Sequence, residues 1–333
     1  MIEILSYPFM QRALIAALLT GLIAPAIGTY VVQRRLSLLG DGLGHVALAG
    51  VGLALLTGAA PIPIAVVTCV AGAVVVEILR QRGKATGDVG LAILFYGGLA
   101  AGVFLSGISG VGAGGLAQYL FGSLTTVTPS DLRLIAILAI VILVTTLGLA
   151  PQLYAVSTDE EFARTQGLRV RLYNIAVVSL AAVTVALAMR TVGLLLVSAL
   201  MVVPVAAARN LVRGFTAGLL CAIGIGVATA VGGAAASFWV DAAPGAFIVL
   251  LAIGVFMLSW PISYLLRRRY AAAAVLPEPV DDDELVSPHT VTENHPHRHA
   301  LGCGHPAVQH GDHTDFIHEG HRHAAHADHY DEH

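Results

Sequence analysis

The sequence predicts an all-α, polytopic membrane helical bundle of about nine transmembrane helices, eight at the fewest. Three observations carry this. Of 333 residues, 56% are hydrophobic and 12% charged, whereas soluble domains run nearer half apolar and a quarter charged. Mean hydropathy is +0.80. The apolar residues also fall in repeated blocks of roughly 20, the length that crosses a bilayer core.

The blocks follow in order. Residues 12–32 come first, and MIEILSYPFM before them lacks the basic start and small-residue cleavage site of a signal peptide, so this block is expected to remain as a spanning helix. Residues 37–57 hold Asp41 and His45 among glycines. Residues 61–79 end near Glu77 and Arg80, one turn apart and expected to form an interfacial ion pair. Residues 89–107 follow Asp88, whose carboxylate suits a helix N-terminus. The glycine-rich residues 106–131 then break the pattern, either as a surface loop or as a re-entrant segment that protein or water must cover. Residues 132–150, 172–189 and 192–209 are the next blocks, and the link at Arg190 is so short that one of the last two is expected to be broken or tilted. Residues 214–236 and 244–266 complete the set.

Cytoplasmic loops carry an excess of Lys and Arg. With the N-terminus outside, the inner connections hold thirteen such residues and the outer ones three, Arg12, Arg133 and Arg190. An odd number of spans then leaves the C-terminus in the cytoplasm. The net charge of -3 argues for no particular partner, and no nucleic-acid partner is expected. Cys69 and Cys221 lie in apolar blocks and Cys303 near the C-terminus, so no disulfide framework is readable.

Residues 1–270 therefore read as a transmembrane domain, and residues 271–333 as a cytoplasmic tail of different composition. The tail begins with a linker and the acidic run DDDE at 281–284, then carries thirteen of the fourteen histidines. With so little apolar surface to offset ordering entropy, it is expected to be disordered. Imidazole suits Zn, Cu and Ni, and HPHRH, CGH and GHRHAAHADH make His295, His297, His299, Cys303, His305, His321, His323 and His326 candidate metal ligands. These histidines are interspersed with Asp, Glu, Arg and Ala rather than consecutive as in a purification tag.

Asp41 and His45 are four residues apart, and residues with that spacing share a helix face. His45 lies about 12 Å into the second block at 1.5 Å per residue, close to the middle of a core about 30 Å thick. A charged side chain there costs at least about 2.5 kcal/mol, and such residues face a bundle interior and mark substrate or ion paths. Two compensations fit. A closed Asp–His hydrogen bond would lock helix packing, aided by Gly40, Gly42 and Gly44. Alternatively, the carboxylate and imidazole are two ligands of a divalent metal site.

The segment STDEEFARTQGL reads as a short capped helix. Ser157 or Thr158 serves as N-cap, Asp159, Glu160 and Glu161 suit its positive end, Phe162 and Ala163 give a small apolar contact, and Gly167 ends it.

Five segments, QRRLSLLGDGLGHVALAGV, GDVGLAILFYGGLAAGVFL, LFGSLTTVTPSDL, TDEEFARTQGL and RTVGLLLVSALMVVPVAAARNL, occur in the order found in the membrane permeases of ABC-type zinc and manganese importers. Over about residues 8–266 the chain resembles that metal ABC-3 permease family. The resemblance implies a type II ABC-importer-like permease in a bacterial-type inner or plasma membrane. It puts the family's metal pathway on Asp41 and His45, and makes Asp159, Glu160, Glu161, Phe162, Ala163 and Gly167 the element that couples to an ATPase. Implied partners are a cytoplasmic ABC ATPase dimer, an extracytoplasmic metal-binding protein and a second copy of the permease, within membrane lipid.

No GxxxxGK[ST] phosphate loop occurs, and GKAT at 83–86 lacks the upstream spacing, so the chain itself is not expected to be an enzyme. No permanently bound cofactor is expected. The imidazole-rich tail makes zinc the expected cargo, with manganese and ferrous iron as alternatives. A secondary, proton-coupled metal transporter is the competing reading, since Asp and His also make a proton relay. A metal sensor built on the tail is a weaker third.

Overall fold

A computed structural model describes residues 7–83, 87–110, 112–123, 126–189, 191–194, 196–240, 243–273, 290–292, 305–310, 313–318, 321–326 and 329–332. The chain divides into two compact units, Met1–Leu266 and Arg267–His333.

The first unit is helical. Its long helices are α1 (Pro8–Gln33), α2 (Leu39–Thr57), α3 (Pro61–Gln81), α7 (Pro129–Gly148), α10 (Val170–Ala188), α12 (Phe215–Val240) and α13 (Pro244–Ala273). A further span, Val89–Ile108, is composite. It joins α4 (Gly87–Ala92), a π-helical turn (Ile93–Gly97) and α5 (Gly98–Ile108). By length and composition, eight helices among the described residues can cross a membrane. The ninth expected span is the shorter α11 (Val197–Leu211).

The shortfall falls at the link beside Arg190, which itself lies outside the described residues. Residues 191–194 are non-helical, and Thr191, Val192 and Leu194 are buried. Their backbone is covered from several sides, as irregular backbone at membrane depth requires. Leu194 N–H donates to the Tyr119 carbonyl at 2.9 Å, and the Thr20 and Thr191 hydroxyls lie 3.2 Å apart. Tyr119 belongs to α6 (Gly112–Leu120), formed by the glycine-rich segment between α5 and α7. The two irregular stretches of the sequence thus pack against each other. Gly193, at φ +87, is held where a Cβ would approach the Phe121 carbonyl carbon to 2.4 Å.

Close helix contacts in the unit rest on small residues, as expected where lipid and protein interior are equally apolar. A Cβ on Gly21 would lie 2.7 Å from the Gly226 carbonyl on α12, and one on Gly28 would meet the Met201 carbonyl of α11. Around α2 the pattern recurs on every side. Gly40 faces Ser198, Gly42 faces Leu94, Gly44 faces Leu194, Gly50 faces Ala65 and Gly52 faces Gly102. This makes α2 an inner helix, with Leu43, Ala47 and Val51 fully enclosed. Val67, Val103, Ile137, Val144 and Leu250, by contrast, expose apolar side chains on the outer helices.

In the second unit, β1 (Thr290–Thr292), β2 (Ala307–His310), β3 (His313–His318), β4 (His321–His326) and β5 (His329–Glu332) form an antiparallel sheet in the order β1-β5-β4-β3-β2. The expected disordered tail covers this region, and much of it, including residues 274–289 and 293–304, lies outside the described residues. Where strands are described, β2 to β5 form a meander that pairs neighbouring backbone groups with little loop-closure cost.

Candidate metal pathway and coupling site

Asp41 and His45 occupy the first two turns of α2. They are half-buried while Gly40, Gly42, Leu43, Gly44 and Val46 around them are buried. The side chains do not close on each other. The His45 Nδ1–H donates to the Asp41 backbone carbonyl at 2.8 Å. A carbonyl oxygen only accepts, so the tautomer that makes this bond carries its proton on Nδ1 and leaves Nε2 as the nitrogen able to accept or coordinate. The Asp41 carboxylate accepts instead from the Ser198 hydroxyl on α11.

The imidazole is also held from the side. Its ring centroid lies 4.0 Å from that of Phe95, at an interplanar angle of 40°. Phe95 sits in the π-helical turn, and Gly98 directly after it presses on α2, where a Cβ would lie 2.5 Å from Val46 N and 2.6 Å from the His45 carbonyl carbon. π-turns inside α-helices are frequent at functional sites because the extra residue re-aims the side chains around it. Gly98→Ala is therefore expected to destabilise the fold by about 1–3 kcal/mol through overpacking. Gly97→Ala, with no atom within 4 Å of the added Cβ, should be neutral or stabilising by up to about 1 kcal/mol. Thermal unfolding of both variants in detergent checks the contrast.

Among the described residues, no group of three or more His, Cys, Asp or Glu side chains could hold a metal ion. The chain thus offers a carboxylate and an imidazole here, a pair rather than a complete set. Ser198 and Phe95 were not singled out from the sequence. Ser198 had a signal, a polar residue in the apolar run VSALMVV, whereas the π-turn that brings Phe95 to His45 has none.

The segment expected to couple forms α9 (Glu160–Thr165), between α8 (Ala150–Thr158) and α10. Its N-cap is Asp159, whose Oδ1 accepts from Glu161 N–H and Phe162 N–H, both at 2.9 Å. This corrects the expectation of Ser157 or Thr158. Both belong to α8, and the chain leaves helical geometry only at Asp159, with φ -147 and ψ 105. Ala163 is fully buried in a small cluster with Val156 and Val170, while Phe162 is 57% exposed. Gly167, at φ +79, follows the end of the helix. α9 is thereby seated on one face and presents an aromatic ring on the other.

A charge cluster fixes this seat. Glu160 Oε1 accepts from Asn174 of α10 at 2.9 Å and from Arg34 and Arg80 at 3.5 Å each, while Arg164 lies 3.9 Å from Oε2. Arg80 also grips Glu77 through two bonds of 2.9 Å, the ion pair expected from spacing, and Arg34 stands 3.8 Å from Glu77. Burial pushes the Arg34 guanidinium below its ordinary pKa, and the Glu77 and Glu160 carboxylates oppose that by favouring its charged form. The ends of α1 and α3, the start of α10 and all of α9 are thus tied at one end of the bundle.

Of the candidate tail ligands, His321, His323 and His326 lie on β4, and His305 precedes β2. His295, His297, His299 and Cys303 lie outside the described residues.

Comparison with known proteins bears on this architecture. The model of the ABC 3 transport family matches residues 6–263. The manganese transport system membrane protein MntC of Halalkalibacterium halodurans is 33% identical over 260 residues, covering 78% of this chain and 88% of that protein. A probable metal transport system membrane protein of Treponema pallidum is 32% identical, covering 80% of this chain and 99% of its own length. Among solved structures, PsaBC from Streptococcus pneumoniae in complex with Fab is similar at a TM-score of 0.70 and 27% identity, covering 77% of this chain and 92% of that one.

Proposed function

The chain belongs to the ABC 3 transport family, whose matched relatives are membrane permeases of metal transport systems, and we propose that it imports a divalent transition metal driven by a separate ATPase. One observation supports this most: the inner helix α2 carries a half-buried carboxylate and an imidazole whose Nε2 is left as a ligand. Two ligands per chain make half a coordination set, and a second copy related by two-fold symmetry presents the other half. Such a partial site suits passage of the ion rather than storage.

Energy enters at α9. The exposed Phe162 is the docking contact for a cytoplasmic ATPase subunit, and the Glu160 cluster transmits its movement to α1, α3 and α10. This fits the orientation with the N-terminus outside, since Arg34, Arg80 and α9 then share the cytoplasmic side. A metal-loaded binding protein delivers cargo at the opposite side. Nucleotide state and metal delivery bias one equilibrium between inward- and outward-open forms.

Manganese leads as the cargo. The zinc expectation rested on the tail, which lies beyond the matched residues, whereas the relative from Halalkalibacterium is named for manganese. A carboxylate and an imidazole accept either ion, so availability and geometry decide between them. The test is metal accumulation in vesicles holding this chain, its ATPase and the binding protein. Accumulation is expected only with all three and ATP. If the chain alone moves metal down a proton gradient, the ATP-driven reading fails and the secondary transporter takes its place.

A further inference from the structure

The end of α3, α9 and the start of α10 border a cleft of about 380 Å3. Four arginines line it, Arg80, Arg82, Arg164 and Arg171, with Glu160 as the one carboxylate among the lining residues. Glu160 already lies within 3.9 Å of Arg34, Arg80 and Arg164. Arg82, which caps α3, and Arg171, the second residue of α10, are exposed and form no ion pair among the described residues.

Two acceptors at the same cleft lack donors. Gln81 donates to Glu77 at 2.8 Å and Asn174, 1% exposed, donates to Glu160 at 2.9 Å. Yet Gln81 Oε1 and Asn174 Oδ1 are buried and accept from no described residue, and both side chains line the cleft. Buried polar atoms are nearly always paired in folded proteins, so two orphans at one cleft point to donors from outside the chain.

α3 has 21 residues, about 31 Å of helix, which crosses a hydrocarbon core of about 30 Å and puts its last turn at headgroup depth. The surface leading up to the cleft is apolar. Val67, Ala71 and Val75 are exposed at four-residue steps along α3, Arg82 follows Val75 by seven residues on the same face, and the exposed Leu172 adjoins Arg171.

We propose that this cleft receives the headgroup of an anionic phospholipid that carries free hydroxyls, of the phosphatidylglycerol class. Arg82 and Arg171 take the phosphate, whose oxygens match the guanidinium fork. The headgroup hydroxyls donate to Asn174 Oδ1 and Gln81 Oε1. Neither oxygen is open to water as the side chains stand, so the amide ends rotate to meet the ligand. The acyl chains lie along Val75, Ala71 and Val67. Basic pockets between spanning helices hold anionic headgroups in this way. An acidic protein surface would satisfy the arginines but leave the apolar lane beneath them unused. The site requires that the bundle spans a membrane and is independent of metal transport.

The experiment titrates the full-length chain in detergent with phosphatidylglycerol, phosphatidylmethanol or phosphatidylcholine and counts bound lipid by native mass spectrometry. Phosphatidylmethanol has the same charge but no hydroxyls. It should bind about tenfold more weakly than phosphatidylglycerol, and phosphatidylcholine more weakly still. Arg82→Gln with Arg171→Gln should weaken phosphatidylglycerol binding about 30-fold, whereas Arg209→Gln with Arg213→Gln, an equal loss of charge elsewhere in the bundle, should leave it intact. Equal losses in the two variants would reduce the effect to diffuse surface charge and overturn the site. So would equal affinity for phosphatidylmethanol and phosphatidylglycerol. Displacement of the lipid by equimolar glycerol phosphate would make the ligand a soluble phosphate, and unchanged lipid binding in the Arg82/Arg171 variant with lost binding of an ATPase subunit would make the cleft a protein contact; either result overturns the lipid site.

Discussion

Asp41→Asn and His45→Ala are each expected to reduce metal uptake by on the order of 100-fold in vesicles containing the full transporter, with protein level and melting temperature close to wild type. The magnitude follows from what is lost. Altering a supporting contact of a metal ligand typically costs about 10–100-fold in affinity or activity, and removing the ligand costs at least as much. Stability should survive because the two side chains are not bonded to each other: His45 holds its own turn's carbonyl and Asp41 holds Ser198. Ser198→Ala separates the roles further. It removes the hydroxyl that positions the carboxylate but no ligand, so a loss of about tenfold, mainly in apparent metal affinity, is expected. Wild-type uptake in either ligand variant would return the pair to helix packing.

The second large effect is expected at Glu160. Its Oε1 takes donors from Arg34 just after α1, from α3 and from α10, so Glu160→Ala removes these polar ties of α9 in one step and leaves its apolar seat on Val156 and Val170. Arg34, whose side chain is 5% exposed, then keeps Glu77 at 3.8 Å as its one acidic neighbour among the described residues. Breaking a buried pair from one side costs about 3–5 kcal/mol, and the 34% exposure of Glu160 places this case below that range. Uptake should fall about tenfold while ATP hydrolysis by the assembled transporter falls far less, because Phe162 still offers its docking contact. Metal moved per ATP hydrolysed is the quantity to measure. An unchanged ratio would show that the cluster is structural only.

Much of the bundle was legible in the sequence because membrane spanning imposes length and composition on each block. The Asp41–His45 pair was legible for the same reason, two costly side chains at helical spacing within an apolar run. What surrounds the pair was not. A π-turn at Ile93–Gly97 changes hydrogen bonding without changing hydrophobicity, so the stacking of Phe95 on His45 left no periodic trace. The Arg190 link announced a break but not its partner, since the contact with Tyr119 runs through backbone groups that every residue has. The cap of α9 was misplaced by one or two residues because Ser157, Thr158 and Asp159 are all good caps.

The buried crossing near Gly193 limits how this molecule can move. A methyl group at Gly122, Gly193 or Gly245 would collide with main-chain atoms of its neighbours, an added Cβ on Gly245 lying 1.8 Å from the Val192 carbonyl oxygen. Three backbone segments, the start of α13, the loop after α6 and the link before α11, therefore meet directly with no room for a side chain between them. Packing this close favours their moving together rather than sliding past one another. Ser198, the second residue of the helix that leaves this crossing, donates to Asp41. A tilt of the crossing would therefore be felt at the carboxylate on α2 through a single hydrogen bond.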